Sequence, residues 1–523
     1  MKKVIITLLC LSFISTSFAQ SKIHIHHNTA TDVRLFTSLI DSLTFQKENA
    51  TSDQYTTFTI NRTNGSKQVI SIASVDSIEL GKDSSNYLFD ITALPEIRFD
   101  VKLKDWNTLL TNFDKYDQNE EMIPAHFAFT KNGKTVELDS VGIRIRGNSS
   151  VKRPEGSKGD LHSTTNADWH HAHFAVQFSE YKDGQSIYNT DRIILKWFKD
   201  DPAYCREVYC YDLFKKFGVW SAPRASYTRL TINIEGDARP AYFGVYALIE
   251  SPNSDYLKYR VLQGNFPNDN GNLWKASYGA DLRDISNDQM GIENVTLSES
   301  TSQFYVYDLK TNKKTGLAAA KTQLTSFVSG MKSLTDGSTD LKTYLEAHMD
   351  VDLFLRAIAV NVMVGMWDDY WVNKNNFFFY FDTNGKFYFI PYDYDNTLGT
   401  SAILHNSGTQ DLLNWGYRSD ERLLIKKVLS IAVFENQYKA YLKELANASN
   451  DYFDADKSLA RINKWQALIT NYVSNDTGDD MTIQDKPASW SNCDFYRLKS
   501  GNDAGGSDGN ANFFKTKIKC ITW

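Results

Sequence analysis

Alternating apolar and polar residues dominate the first part of the chain and recur as a repeat. The segments IHIHHNTATDVRLFTSLIDSLTF (residues 23–45) and FTINRTNGSKQVISIASVDSIEL (residues 58–80) align without gaps at a period of 35 residues. Each predicts a short strand, a polar turn, a second strand and an apolar-Asp-Ser-apolar step into a third. Residues 20–83 are therefore predicted to form a small all-β module of two repeats, with residues 81–87 as a linker.

The remainder of the chain changes from strand patterns to helix patterns along its length. Strands first and helices later, with one hairpin among the helices, indicate an α+β fold for residues 88–480 and leave residues 481–523 as a C-terminal extension. Strands are predicted at 97–103, 140–146, 229–235 and 242–250, and helices at 104–113, 202–217, 316–334, 341–348, 351–365, 422–445 (with a break) and 455–473.

One stretch among the helices combines buried-type aromatics with many carboxylates and amides. Residues 365–399 read GMWDDYWVNKNNFFFYFDTNGKFYFIPYDYDNTLG, and the Asn384-Gly385 pair predicts a hairpin turn. The hairpin would bring Asp368 and Asn376 on one side close to Asp393 and Asp395 on the other. Hard oxygen ligands clustered in this way suit Mg²⁺, Mn²⁺ or Ca²⁺. The alternative is that these residues only cap turns and helices.

The order of these residues resembles the catalytic core of protein kinases. An aspartate that accepts a hydroxyl proton, an asparagine soon after it, a β-hairpin and then a metal-binding aspartate follow one another in that core. HRD, DFG and GxGxxG motifs are missing from this sequence.

Composition and charge narrow the class of protein. The 523 residues are 42% hydrophobic and carry a formal net charge of −6, which gives no support for nucleic-acid binding. Residues 1–19, MKKVIITLLCLSFISTSFA, have two lysines, an apolar run and a small-x-small end, and are predicted to be a signal peptide. No later run reaches the roughly 18 apolar residues of a membrane span, so we expect an exported protein that is not integral to a membrane.

Several motifs together resemble the CotH kinase family, atypical secreted or spore-coat-associated kinases named after spore coat protein H. The resemblance extends from about residue 86 to beyond residue 441. The repeats at 20–83 resemble an N-terminal module common on secreted proteins of Bacteroidetes-type bacteria. The motifs of the kinase-like part are RIRGNSS (144–150), LKWFKDDPAYCRE (195–207), FGVYALIE (243–250), GNLWKA (271–276), WDDYWVNKNNFFFY (367–380) and FIPYDYDNTLG (389–399).

This resemblance implies a divergent protein-kinase-like fold with a β-rich N-lobe and a helical C-lobe. By position, Asp368 resembles the catalytic base, Asn376 the metal-binding asparagine and Asp393 the Mg²⁺-chelating aspartate, with Asp395 as an additional or neighbouring ligand. The resemblance leaves two assignments open. The catalytic base is Asp368 or Asp369, and the metal-binding asparagine is Asn375 or Asn376.

Several residues are candidates for the cation that contacts the ATP phosphates, because the strand that often carries lysines in this family reads HFAVQF (173–178) here. Lys196 follows an apolar strand and is placed to pair with Glu207 on the next helix, like the Lys–Glu pair of kinases. Glu207 and Glu250 are the candidate ion-pairing or positioning carboxylates. The candidate phosphate-binding cations are Lys196, Lys275, Arg144 and Arg146.

The resemblance implies transfer of the ATP γ-phosphate to Ser/Thr hydroxyls of a protein substrate, with ATP and Mg²⁺ or Mn²⁺ as cofactors. With the signal peptide, it places the protein in the periplasm, on the cell surface or outside the cell. The alternative is an inactive pseudokinase that acts as a surface adhesion or structural module. A carbohydrate-active protein is a third possibility, which lacks a convincing acid/base pair because Glu250 has no obvious partner in the sequence.

Overall fold

The chain divides into two compact units, residues 1–88 and 89–523. The computed structural model describes residues 20–27, 33–47, 55–314, 316–400, 403–404, 407–416, 422–473, 483, 485, 487 and 513–523. The predicted signal peptide at 1–19 and much of the C-terminal extension lie outside the described residues. No helix within these described ranges is long and apolar enough to cross a membrane.

The first unit contains two three-stranded antiparallel sheets. Each repeat supplies a hairpin and a third strand, and that third strand joins the hairpin of the other repeat. The sheet orders are β2-β1-β6 and β3-β4-β5. Its strands are β1 (Gln20–His27), β2 (Val33–Phe36), β3 (Ile40–Lys47), β4 (Tyr55–Arg62), β5 (Lys67–Ser71) and β6 (Val75–Asp83), and a short helix α1 (Ser85–Leu88) follows.

Alternation of side chains gives this unit its core. Six apolar residues of the two sheets are buried together, and alternate residues of each strand face the other way. The resemblance of this unit to a Bacteroidetes-type module stays a prediction. The buried residues are Ile23, Ile25, Leu35, Phe58, Ile60 and Ile70.

The second unit begins with a closed seven-stranded barrel in the order β10-β11-β13-β12-β7-β8-β9. Neighbouring strands are antiparallel except β12 and β7, which are parallel. Because the barrel closes, it leaves no strand edge unpaired. Its strands are β7 (Glu96–Val101), β8 (Ile123–Lys131), β9 (Lys134–Arg146), β10 (His173–Gln177), β11 (Arg192–Lys196), β12 (Ala225–Ile234) and β13 (Ala241–Glu250).

A five-stranded sheet follows in the order β15-β16-β14-β17-β18. It contains the predicted hairpin, in which all ten strand residues are buried. The turn between them is closed by the Asp382 N–H, which donates to the Lys386 carbonyl at 3.1 Å, and Gly385 supplies the positive φ of 83°. The strands are β14 (Asn272–Ala276), β15 (Met290–Gly291), β16 (Tyr307–Leu309), β17 (Phe377–Phe381) and β18 (Phe387–Pro391).

Helices alternate with these strands and dominate the second half of the unit. Together with the sheets they confirm the α+β class; division into kinase-like lobes stays a prediction. The remaining helices are α2 (Leu103–Lys115), α3 (Arg206–Lys216), α4 (Ser254–Leu262), α5 (Leu317–Ser333), α6 (Thr339–His348), α7 (Val351–Met363), α8 (Leu423–Leu429), α9 (Ala432–Ala446), α10 (Ala455–Val473) and α11 (Phe513–Ile518).

Helix α3 begins four residues later than the predicted 202–217. The Asp201 carboxylate accepts hydrogen bonds from the N–H groups of Cys205 and Arg206, both at 2.7 Å. Those N–H groups lie at the start of the helix, where they have no partner within it. The carboxylate therefore fixes the first turn and holds Glu207 at the N-terminal end of α3.

Candidate functional site

Three polar side chains form a row across neighbouring barrel strands. Arg146 on β9 pairs with His173 on β10, and Phe174 pairs with Leu195 on β11, which places Lys196 beside His173. Residues that are paired across strands point to the same face of a sheet. Arg146, His173 and Lys196 therefore share one face of the barrel.

Lys196 joins that row to three carboxylates. Its Nζ lies 2.9 Å from Glu207 Oε2 on α3 and 3.1 Å from Asp395 Oδ2, and it also contacts Asp393 Oδ1. The lysine side chain is 8% exposed. The contact with Glu207 that the sequence suggested is present, and two aspartates from the far side of the hairpin converge on the same ammonium group.

The pKa values of these carboxylates reflect burial and crowding of negative charge. Burial raises the pKa of Glu207 to about 7 and that of Asp395 to about 6, even though Lys196 acts in the opposite direction. Burial would also raise the pKa of Asp393, but the Lys196 charge outweighs it and the pKa lies below its usual value. The three carboxylates outnumber the two cations that interact with this group, Lys196 and Arg146, and a divalent cation would offset the excess of negative charge.

The backbone at Asp393 is held in an unusual conformation. Its φ is +65°, a region that non-glycine residues rarely adopt, and its N–H donates to the Tyr211 hydroxyl at 3.0 Å. Lys374, Asn376 and Leu398 in the neighbouring loops also have positive φ. Backbone strain of this kind is concentrated at functional sites in proteins.

Asp368 lies in the loop after α7 and is held by three asparagines. Its Oδ1 accepts from Asn373 Nδ2 at 2.6 Å and from Asn375 Nδ2 at 3.2 Å, and its Oδ2 accepts from Asn376 Nδ2 at 2.9 Å. Burial raises the pKa of Asp368; the three asparagines oppose this, and the charge of Asp393 adds to it. The carboxylate is oriented by amide donors, and it is close enough to Asp393 for the two charges to interact.

Asn376 is oriented with its amide oxygen available. Its Nδ2 donates to both the backbone carbonyl and the carboxylate of Asp368, at 3.0 and 2.9 Å. Within the described part of the chain, its Oδ1 accepts no hydrogen bond. Asn375 uses its amide to hold Asp368 in the same way, at a longer distance.

The neighbouring Asp369 has a structural environment. Its Oδ1 accepts from the Val372 N–H at 2.9 Å and its Oδ2 from Asn361 Nδ2 at 2.6 Å. The residue is 5% exposed, and burial raises its pKa to about 6. Of the two adjacent aspartates, Asp368 has the more accessible side chain.

The carboxylate and amide oxygens of these residues are the ligand types that hard divalent cations prefer. Among the described residues, no group of three or more His, Cys, Asp or Glu side chains forms a metal site by itself. Magnesium in nucleotide sites is commonly bound by one or two carboxylates and the substrate phosphates. Asp393, Asp395 and Asn376 carry oxygen atoms of the kinds that such a set contains, and both aspartates contact the same Lys196 ammonium.

The three other candidate phosphate-binding cations contact different partners. Arg146 Nη2 is 3.4 Å from the Tyr392 hydroxyl, directly before Asp393 in the chain. Arg144 is two residues away on the same strand face and forms an ion pair with Glu120. The side chain of Lys275 is 39% exposed, and its Nζ is 3.9 Å from Glu293 Oε2.

Glu250 lies on the other face of the barrel strands from Lys196. It pairs in register with Ile193, whose side chain points away from that of Lys196. Its Oε1 is 2.7 Å from Arg224 Nη2 and 2.6 Å from Arg260 Nη1. The structure therefore does not place Glu250 beside Lys196. Instead, the glutamate links the end of β13 to α4.

His173 and Tyr392 also belong to the site, and the sequence interpretation did not assign them a role there. His173 Nδ1 accepts a hydrogen bond from the Trp197 N–H at 2.9 Å, and burial lowers the pKa of His173 well below its usual value. The imidazole is therefore a neutral spacer between Arg146 and Lys196. The alternation of side chains along β10 and β11 could have placed His173 and Lys196 on one face, but only if the pairing register of the two strands had been known.

Comparison with known proteins identifies related sequences. The CotH kinase protein family matches residues 143–495. The chain is 22% identical over 377 residues to "Spore coat protein homolog 1" of Rhizopus delemar, covering 70% of this chain and 53% of that protein.

Two further relatives from the same fungus are named invasins. The chain is 21% identical over 369 residues to "Invasin CotH7", covering 69% of this chain and 53% of the relative. It is 23% identical over 210 residues to "Invasin CotH3", covering 40% and 31%. The chain spans about half the length of the first two relatives. Because the family match covers most of the second unit and more than half of the whole chain, the protein belongs to the CotH kinase protein family.

Proposed function

We propose that the protein transfers the γ-phosphate of ATP to Ser or Thr hydroxyl groups of a protein substrate in a Mg²⁺- or Mn²⁺-dependent reaction. The convergence of Glu207, Asp393 and Asp395 on the Lys196 ammonium carries this proposal. Kinases use a strand lysine paired with a helix glutamate, followed by a metal-binding aspartate after a hairpin. The elements of this chain occur in the same order.

Each group has a distinct task in the proposed reaction. Asp368, held by its three asparagines, would orient the acceptor hydroxyl and receive its proton. Lys196 would contact the phosphates while Glu207 holds its ammonium in place. A divalent cation bound with the nucleotide would neutralise phosphate charge, and Asp393, Asp395 and Asn376 are the residues that would hold it.

The raised pKa of Asp368 supports the proposed role. Burial raises it from its usual range, which brings the carboxyl closer to the neutral pH at which a general base is most effective. Export through the predicted signal peptide is also part of the proposal, and the surface-related names of the relatives support it.

Adhesion is the second candidate function, and the printed names of two relatives favour it. In that case the second unit would retain its fold and bind a partner at the surface without phosphate transfer. Partner binding would then be unaffected when Asp368 is changed to alanine.

Two measurements on the full chain test the proposal. The first is transfer of radiolabelled phosphate from ATP to a mixture of candidate proteins, and the second is thermal stability with Mg²⁺ and ATP. We expect Asp368→Asn to lose transfer but keep the nucleotide-dependent stabilisation, and Asp393→Asn to lose both. Asp183→Asn, on an exposed loop, is the matched control.

The two functions predict different results. A wild-type protein that neither transfers phosphate nor is stabilised by Mg²⁺ and ATP contradicts the kinase proposal. If Asp368→Asn and Asp183→Asn transfer phosphate equally well, the assignment of the base is wrong.

A further inference from the structure

A second charged cluster lies on the same barrel face as Lys196 and centres on Glu120. This residue belongs to the loop between α2 and β8, and its carboxylate forms an ion pair with Arg144 on β9. The glutamate side chain is 46% exposed, whereas that of Arg144 is 10% exposed. One partner is thus fixed in the barrel and the other lies on an accessible loop.

Arg192 lies on the same face at the next row of paired residues. Arg144 pairs with Ala175, and Ala175 pairs with Ile194, so Arg192 is two residues farther along the same side of β11. Within the described residues, the Arg192 guanidinium has no ion pair or hydrogen bond. Its charge still acts on Glu120.

Two lysines approach from the five-stranded sheet. Lys275 on β14 pairs in register with Asp308 on β16, which places both side chains on one face. Lys310 contacts Asp308 and lies 3.5 Å from Glu293 Oε2, while Lys275 is 3.9 Å from the same oxygen. We call these two lysines and the two arginines the cationic cluster: Arg144, Arg192, Lys275 and Lys310.

All members of the cationic cluster act on the one Glu120 carboxylate. Burial would raise the pKa of Glu120, but the charges of the four cations outweigh it and lower the pKa to about 2. The other carboxylates nearby are Glu293 and Asp308. The four cations of the cluster thus outnumber the three carboxylates, and the charges of Arg146 and Lys313 also interact with Glu120, so removal of Glu120 would increase an excess of positive charge. Cations gathered at partly buried positions require an anion among them.

We propose that the cationic cluster is a phosphate-binding subsite and that the Glu120 carboxylate occupies it until a phosphate-bearing ligand displaces it. The ligand class rests on the phosphotransfer function proposed above. Arginines bind phosphate oxygens through paired N–H groups, and lysines add positive charge, so this set suits a phosphate at least as well as a carboxylate. The phosphate is either part of the nucleotide or belongs to another phosphorylated small molecule.

The position of Glu120 supports its role as a displaceable group. Its side chain is nearly half exposed, so it can leave the cluster by a local movement of its loop. Glu120 would therefore limit phosphate binding at the cationic cluster until it is displaced.

The test is calorimetric titration of sodium tripolyphosphate into the full chain, in buffer with a metal chelator. Glu120→Gln retains a hydrogen-bonding side chain but removes the charge, and we expect it to bind tripolyphosphate about tenfold more tightly than wild type. Arg192→Gln should bind it more weakly. Glu121→Gln, the adjacent exposed glutamate, is the matched control and should resemble wild type.

Equal affinity of Glu120→Gln and Glu121→Gln, or of Arg192→Gln and wild type, overturns the inference. A loss of thermal stability in Glu120→Gln with no change in affinity would also overturn it, since Glu120 would then only brace the fold. The expected gain should disappear at high salt, because the attraction is electrostatic.

Further titrations identify the source of the phosphate. If the subsite binds the nucleotide, Glu120→Gln should bind ATP more tightly with adenosine unaffected; if it binds another phosphorylated molecule, only the tripolyphosphate affinity should change. A protein that binds tripolyphosphate as expected but transfers no label would retain the subsite and contradict only the kinase proposal.

Discussion

The Lys196 Nζ and the Glu207 Oε2 lie 2.9 Å apart, one at the end of barrel strand β11 and the other in the first turn of α3. This ion pair is almost entirely buried, with side-chain exposures of 8% and 4%. It fixes the direction in which the helix leaves the barrel and also places the ammonium between Asp393 and Asp395. Removal of the lysine therefore affects both the fold and the proposed phosphate site.

The first prediction concerns stability after loss of the Lys196 charge. Lys196→Met leaves Glu207, Asp393 and Asp395 without their shared cation, and removing one partner of a buried ion pair typically costs about 3–5 kcal/mol. We expect that loss in the free energy of unfolding, measured by urea denaturation at pH 8. Lys199→Met, which removes only a surface contact with Asp200, should cost less than about 1 kcal/mol.

The deficit of Lys196→Met should shrink on acidification, because protonation of the carboxylates removes the repulsion between them. A deficit that is equal for the two methionine variants would show that the buried carboxylates do not depend on Lys196.

The second prediction concerns acid stability at Glu250. Burial would raise the pKa of this carboxyl, but Arg224 and Arg260 outweigh it and lower the pKa to about 2. Because the pKa is lower in the folded state, this stabilisation is present above the usual pKa of 4.5 and is lost as the pH falls towards 2. Its size is on the order of 3 kcal/mol.

Glu250→Gln should therefore be less stable than wild type at pH 7, and the difference should narrow towards pH 3. The measurement is the free energy of unfolding at several pH values. Glu346→Gln, which changes only an exposed contact with Lys342 on α6, is the control and should show no such trend. A constant difference between pH 7 and pH 3 would contradict this assignment.

The third prediction concerns Asp369, whose pKa is raised in the folded state, whereas that of Glu250 is lowered. Burial raises the pKa of Asp369 to about 6, so the folded state favours the protonated form. This contribution is fully present below the usual pKa of 3.8 and is lost as the pH rises through 6, by about 3 kcal/mol. Asp369→Asn cannot titrate, so its stability deficit relative to wild type should shrink from pH 4 to pH 7. A deficit that grows over this range would refute the assignment.

The fourth prediction concerns the contact between the C-terminal helix α11 and the loop that carries Asp368. Gly365 has a φ of +72°, and a Cβ added there would lie 2.7 Å from Cζ of Phe513. Gly365→Ala should destabilise the protein through backbone strain and overpacking, each on the order of 1–3 kcal/mol. Thermal denaturation and proteolytic release of residues 513–523 measure the effect.

The variant Gly133→Ala separates the cost of backbone strain from that of overpacking. Gly133 has the same φ of +72° but has nothing within 4 Å of an added Cβ. Gly133→Ala should therefore cost only the strain, and the difference between the two variants gives the steric part. Equal costs would show that α11 does not pack against Gly365. A smaller aromatic-to-aliphatic change, Phe513→Leu, should partly rescue Gly365→Ala but not Gly133→Ala.

Local patterns predicted much of the secondary structure. Helix α10 has the predicted bounds, and the hairpin of β17 and β18 follows its Asn384-Gly385 turn. These features depend on side chains that are near one another in sequence. The closed barrel was not predicted, because its closure depends on pairing of β9 with β10 and of β7 with β12 across long insertions.

The candidate site was predictable in part for the same reason. Asp368 and Asn376 share one loop, so the hydrogen bonds between them follow from short-range geometry. The partners of Glu250 and Glu120 come from separate elements and carry no local signal. The charged residues of the barrel could be recognised from the sequence, but the face on which each lies required the strand register.

The exchange of third strands between the two N-terminal repeats has a consequence for how that unit can be built. Strand β3 of the first repeat completes the sheet of the second, and β6 of the second completes the sheet of the first. In a chain shortened to one repeat, the hairpin would lack a third strand and the third strand would lack a hairpin to pair with. In two such molecules, the third strand of each can pair with the hairpin of the other. Deletion of a repeat should therefore convert an intramolecular fold into a dimer.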